Sequence, residues 1–187
     1  MKLLNLNGYE VIFTSGATES NNLLLRGLAF AYQNRKQDIS VSFTEFKTQV
    51  NAFGTYLFNK GYNGKHIAVF GENSYEWILT HFAVTCGGNI IVPIDKELDA
   101  DSIAELLTDS KSKVLVYSNT YADIAEQVQS QLPNIVYMNM KDVSACVEKG
   151  KQLIADGYTD YIDVNVNKDD LASIVYTSGT TGKSKGV

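Results

Sequence analysis

From residue 44 onward, apolar and polar positions alternate between two periods. Over 44–60 the residues Phe46, Val50, Phe53 and Leu57 fall at helical spacing and run into Lys60 and Gly61, a C-terminal stop, so the spacing predicts an amphipathic helix. A β-favouring run over 66–70 follows. Ser74 then stands as an N-cap before a helix carrying Tyr75, Trp77, Ile78 and Phe82, which Gly87 and Gly88 close. The pattern continues as a buried strand over 89–94, a helix over 101–108, a strand over 113–117, a helix over 120–131, a strand over 134–138, a helix over 141–155 and a last buried strand over 171–176. Strands separated by helices of this length need crossover connections. The expected fold class is α/β, a doubly wound, mostly parallel sheet with helices on both faces.

The first forty residues read differently. A strand is expected over 9–13, a helix over 21–27, and a hairpin pairing 29–32 with 39–43 around Asn34, Arg35, Lys36, Gln37 and Asp38. The only prolines, Pro93 and Pro133, fall at strand or helix edges, where a missing N–H is tolerated.

Composition narrows the function classes. The chain has 187 residues and a formal charge of −5, which excludes a generally basic nucleic-acid binder. With 44% apolar and 20% charged residues it should bury a core. No apolar stretch approaches the roughly 20 residues that span a bilayer. No apolar segment with a small-residue cleavage site opens the chain, so no membrane span and a cytoplasmic address are expected. Cys86 and Cys146 lie far apart without metal-ligand spacing and read as buried free thiols. His66 and His81 stand alone and read as surface or satisfied core histidines. Trp77 and Phe82 read as core, and Asp99, Asp101 and Glu105 as helix-start acids rather than a metal site.

The richest chemistry lies at the end. After the strand ending at Tyr176 come Thr177, Ser178, Gly179, Thr180, Thr181, Gly182, Lys183, Ser184, Lys185, Gly186 and Val187. Glycines free the backbone to turn its N–H groups to one point, five hydroxyls add donors and lysines supply charge. An oligophosphate suits such a loop, and the strand before it should fix the loop at the carboxyl edge of the sheet. A Walker A loop is excluded, because the position five before Gly182 is Thr177 and not glycine. On composition alone the same run fits a solvated Gly/Ser/Thr tail that binds nothing.

Residues 176–186 resemble the phosphate-binding signature of the AMP-binding, adenylate-forming superfamily. Ser184 stands where that family usually has proline. Two further blocks are similar in order and spacing: Ser42, Phe43, Thr44, Glu45, Phe46, and then Glu72, Asn73, Ser74, Tyr75, Glu76, Trp77 leading to Gly87, Gly88 and 89–95. The resemblance covers about 28–187 and is nearest to the long-chain fatty acid CoA ligase type. It implies acid activation: a carboxylate attacks the α-phosphate of ATP, pyrophosphate leaves, and a thiol such as coenzyme A takes the acyl group. ATP, Mg and coenzyme A are the implied cofactors and co-substrate. Thr177, Ser178, Gly179, Thr180, Thr181, Gly182 and Lys185 are the implied phosphate-binding residues.

Family members continue well beyond the position of Val187, with the adenine-binding segment, magnesium ligand, acyl pocket and catalytic lysine. The expectation is therefore an N-terminal fragment with no catalytic or metal residue of its own and no ligase activity alone. The alternative is a non-catalytic nucleotide- or partner-binding module that pairs with another copy through its uncovered sheet edge.

A second strand, Gly-turn and helix pattern runs from Phe13 through Thr14, Ser15, Gly16, Ala17 and Thr18 to Asn22. Residues 9–27 resemble a stretch of pyridoxal-phosphate cysteine desulfurases, in which the residues matching Ala17 and Thr18 hold the cofactor phosphate. Nothing after Gly27 continues that pattern, so 1–27 is expected to be a fusion scar or leader that holds no cofactor. A desulfurase remnant and a chance likeness stay open as weaker readings.

Overall fold

The computed structural model describes residues 3–6, 9–12, 41–177 and 185–186. The chain divides into two compact units, Met1–Ser42 and Phe43–Val187. In the first, β1 (Leu3–Leu6) pairs antiparallel with β2 (Tyr9–Ile12), Leu6 opposite Tyr9. The strand expected from Tyr9 is thus present and β1 was not anticipated. The helix expected over 21–27, the hairpin over 29–40 and the Ala17–Thr18 turn lie outside the described residues.

The second unit is a parallel sheet wrapped by helices. Its elements are α1 (Phe43–Asn59), β3 (His66–Phe70), α2 (Tyr75–Thr85), β4 (Ile90–Ile94), α3 (Ala100–Asp109), β5 (Val114–Tyr117), α4 (Ala122–Gln131), β6 (Val136–Asn139) and α5 (Val143–Ala155). Short 3-10 turns at Asn119–Tyr121 and Met140–Asp142 precede α4 and α5. The strand order is β4, β3, β5, β6, all parallel. Because side chains alternate across a strand, Ile67, Val69, Ile91, Val114 and Val116 enter one core with α1, α2 and α5. Ala68, Phe70, Val92, Ile94 and Leu115 enter the other with α3 and α4. The doubly wound expectation holds.

Two boundaries differ. Phe43 is the first residue of α1, not the end of a strand. Counting back from Phe46, it continues the helical stripe, although at the open end of the helix it is 77% exposed. The expected last strand is shorter and less buried than its apolar letters suggest. Only Ser173 bridges Ile91, through Ile91 N–H to Ala172 O and Ile174 N–H to Ile91 O, both 3.0 Å. The next rung in a parallel ladder would need an N–H from Pro93, which has none, so the ladder ends at Ile174. Leu171 and Val175 are 56% and 48% exposed at this sheet edge.

Between α5 and that edge the chain is held by Tyr161. Its hydroxyl donates to Ala83 O at 3.0 Å, and its ring meets Phe58 edge-on at 5.2 Å. The ring fills a slot that two glycines leave open: a Cβ on Gly54 or Gly87 would lie 2.0 or 2.4 Å from it. A third glycine brings α1 and α5 together, since a Cβ on Gly150 would lie 1.8 Å from Ala52 O. Gly88, at φ +69°, closes the turn after α2.

Candidate functional site

The residues expected to hold phosphate begin and end on a two-rung hairpin, β7 (Tyr176–Thr177) and β8 (Lys185–Gly186). Tyr176 pairs with Gly186 and Thr177 with Lys185, antiparallel. Thr177 is exposed. The first hydroxyl residue and the last lysine of the run therefore share one register position. Ser178, Gly179, Thr180, Thr181 and Gly182 lie outside the described residues.

A side-chain hydrogen bond ties the stem to α3. Tyr176 donates to Asp109 Oδ2 at 2.6 Å, and Asp109 ends α3 just before β5 begins. With His66, Ser110, Lys111, Leu171, Ile174 and Gly186, this pair lines a cavity of about 380 Å³. His66 opens β3, and its Nδ1 donates to the Ser110 carbonyl. These are the amino ends of the parallel strands. Burial pushes the Tyr176 phenol up to about 12, with the Asp109 hydrogen bond and charge adding to the effect. Lys111 sits at φ +56°, in the left-handed region.

At the carboxyl ends of the strands a second group of polar side chains meets. At the switch point between β3 and β5, Gly71 adopts φ +151° and a Cβ there would lie 2.5 Å from Ser118 Cβ. Glu72 Oε1 accepts from Ser118 Oγ at 2.8 Å and from Thr120 Oγ1 at 3.1 Å, while its buried Oε2 has no hydrogen-bond partner. Burial favours the neutral acid. The hydrogen bonds from Ser118, from its own backbone and from Thr120, with the charge of Lys96, outweigh that and hold the carboxyl below its ordinary value. Beside it, Asn139 Nδ2 donates to Asn119 Oδ1 at 3.0 Å.

The remaining candidates resolve as follows. Asp99 is the N-cap of α3, its side chain accepting from the Ser102 N–H at 2.9 Å, and Ser74 caps α2 through Trp77 N–H. Trp77 and Phe82 pack against the α1 side core, as expected. His81 is neither a surface nor a satisfied core histidine. It stacks on Trp77 with centroids 5.7 Å apart, its buried Nδ1 has no partner, and burial lowers its pKa. Cys146 is buried but Cys86, at the C-cap of α2, is exposed. Sequence reasoning missed Asp109, Ser118 and Tyr161 as contact residues. Glu72 was quoted as part of a block, but nothing in the letters marks Ser118 as its partner.

Among the described residues no cluster of three or more His, Cys, Asp or Glu is placed to hold a metal ion. Nor is any helix among them long and apolar enough to cross a membrane.

The family model for AMP-binding enzymes matches residues 26–187, the whole parallel-sheet unit and the loop that ends it. This chain belongs to the AMP-binding enzyme family. Within that family it is 28% identical over 159 residues to the long-chain-fatty-acid–CoA ligase FadD13 of Mycobacterium tuberculosis, covering 84% of this chain and 31% of that one. It is 31% identical over 150 residues to gramicidin S synthase 2 of Brevibacillus brevis, covering 79% of this chain and 3% of that one. Among solved structures, the inhibitor-bound N-terminal domain of FACL13 from Mycobacterium tuberculosis superposes with a TM-score of 0.69 at 24% identity, over 80% of this chain and 37% of that one. That likeness shows the shared α/β fold. The chain spans about a third of the length of the ligase relatives it matches.

Proposed function

We propose that this AMP-binding family chain supplies the N-terminal, phosphate-gripping part of an ATP-dependent acid-activating ligase of the acyl-CoA synthetase type. The observation that carries the reading is the terminal loop. A family match that runs through it coincides with a hairpin stem that sets Thr177 opposite Lys185. From that stem, the hydroxyls of Thr177, Ser178, Thr180 and Thr181 and the amides of Gly179 and Gly182 would donate to the outer phosphates of ATP. Lys185 would offset the charge that builds on departing pyrophosphate.

Mg would arrive with the nucleotide. Since no described carboxylate cluster suits it, no step is assigned to the metal. Coenzyme A is the proposed acceptor and a long-chain fatty acid the proposed substrate, the latter supported by the ligase relative. The compartment proposed is the cytoplasm. Residues 1–27 are proposed as a leader or fusion segment, and the family match beginning at residue 26 supports a boundary there. The exposed edge at 172–174 is the proposed surface for pairing with a second copy. We also propose that these 187 residues do not complete the ligase reaction, since they correspond to about a third of the ligase relatives.

Calorimetric titration of the full chain with MgATP and with pyrophosphate tests the loop. Both should bind, and Lys185→Ala should weaken them about tenfold or more, the worth of one charge-assisted hydrogen bond. Failure of the unmutated chain to bind either would overturn the reading. Fatty-acid-dependent ATP–pyrophosphate exchange by the chain would overturn the proposed inactivity.

A further inference from the structure

The stem of the loop cannot hold itself in place. Two rungs of an antiparallel ladder are marginal in water, and the rungs that would have tied the segment to β4 stop at Ile174. What lies under the stem is specific. Ile174 and Tyr176 pack against the core on the α3 side, and Gly186 is pressed onto both. A Cβ there would lie 2.9 Å from Ile174 Cγ2 and 3.3 Å from the Tyr176 ring.

The short polar tie is the hydrogen bond from the Tyr176 hydroxyl to Asp109, residues 67 apart in sequence, at the 2.6 Å typical of a bond to an ionised acceptor; the Ser110 side chain is a further polar neighbour of that hydroxyl. Asp109 is the last residue of α3, the negative end of the helix dipole, where a carboxylate is unfavourable and a cation would be preferred. Its presence there works against the helix and serves the neighbouring tyrosine.

We infer that Asp109 is a positioning residue for phosphate binding: through Tyr176 it seats the hairpin stem on the end of α3, so that Thr177 and Lys185 launch the loop from a fixed place. The inference rests on the reading of that loop as the phosphate site.

The test compares Asp109→Ala, Asp109→Asn, Tyr176→Phe and the Asp109→Ala/Tyr176→Phe double variant of the full chain. Hydrogen exchange over 176–186 and ATP affinity by calorimetry are the two readouts. Asp109→Ala and Tyr176→Phe should each speed exchange in that peptide and leave the parallel sheet protected as before. Each should weaken ATP about fivefold, within the span of one ordinary hydrogen bond, and the double variant should lose no more than either alone. Asp109→Asn keeps an oxygen that accepts from Tyr176 and should restore most of both signals.

Unchanged exchange in Asp109→Ala would overturn the tie. Faster exchange with unaltered ATP affinity would overturn the positioning role, as would an asparagine variant no better than alanine. If the unmutated chain bound no ATP while the exchange difference persisted, the nucleotide reading would fall and the positioning role with it. Loss of the exchange difference alone would remove only the positioning role.

Discussion

The body of the parallel-sheet unit and the segment that closes it are held in different ways. In residues 43–155 every central strand is covered on both faces, and two separate apolar clusters share the load. Residues 156–177 carry exposed Ile162, Val166, Leu171 and Val175. They are fixed at a few points: Tyr161 in its glycine slot, two hydrogen bonds around Ile91, and Tyr176 on Asp109. A distributed core tolerates the loss of a single contact; a segment pinned at points does not, and the loop bearing the proposed chemistry hangs from the latter.

The sharpest way to break this contrast is Tyr161→Ala. Removing a buried ring should cost about 3–5 kcal/mol of global stability if the segment folds with the sheet, read as a lower urea midpoint. An unchanged midpoint with new proteolysis confined to 156–177 would show instead that the segment opens independently. Gly150→Ala strikes the body. The new methyl meets Ala52 O, and overpacking of this kind should cost about 2–3 kcal/mol, with the urea slope unchanged and the 156–177 segment no more protease-sensitive than before.

The smallest effect is expected at Glu72→Gln and is a matter of pH. A carboxyl held below its ordinary value contributes stability that is fully present above the normal glutamate range, near pH 4.3, and is lost as pH falls through the folded value. The urea midpoints of the two proteins should therefore differ at about pH 7 and converge as acid carries the pH down through the folded value. A constant difference would show that hydrogen-bond geometry, not charge, is what Glu72 supplies.

Much of the body was legible in the sequence because its signals are local. Phe46, Val50, Phe53 and Leu57 announce a helix by spacing alone, and Ser74 and Asp99 announce caps by identity and place. The terminal run was legible as a family signature for the same reason. Its surroundings were not. The tie from Tyr176 to Asp109, the slot that Gly54 and Gly87 leave for Tyr161, and the Glu72–Ser118 bond join residues 46 to 78 or more positions apart, and no periodicity encodes such pairs. The buried strand expected over 171–176 failed for a related reason: apolar letters do not reveal whether a strand will find a neighbour on its outer side. Nor do the letters reveal that Glu72 and Ser118 meet at the switch point between β3 and β5.

Pro93 carries one more consequence. A residue with an N–H at that position would offer Ile174 another partner along β4, and the closing segment could be tied further up the sheet. One missing proton thus limits how far the closing segment is bound to the sheet.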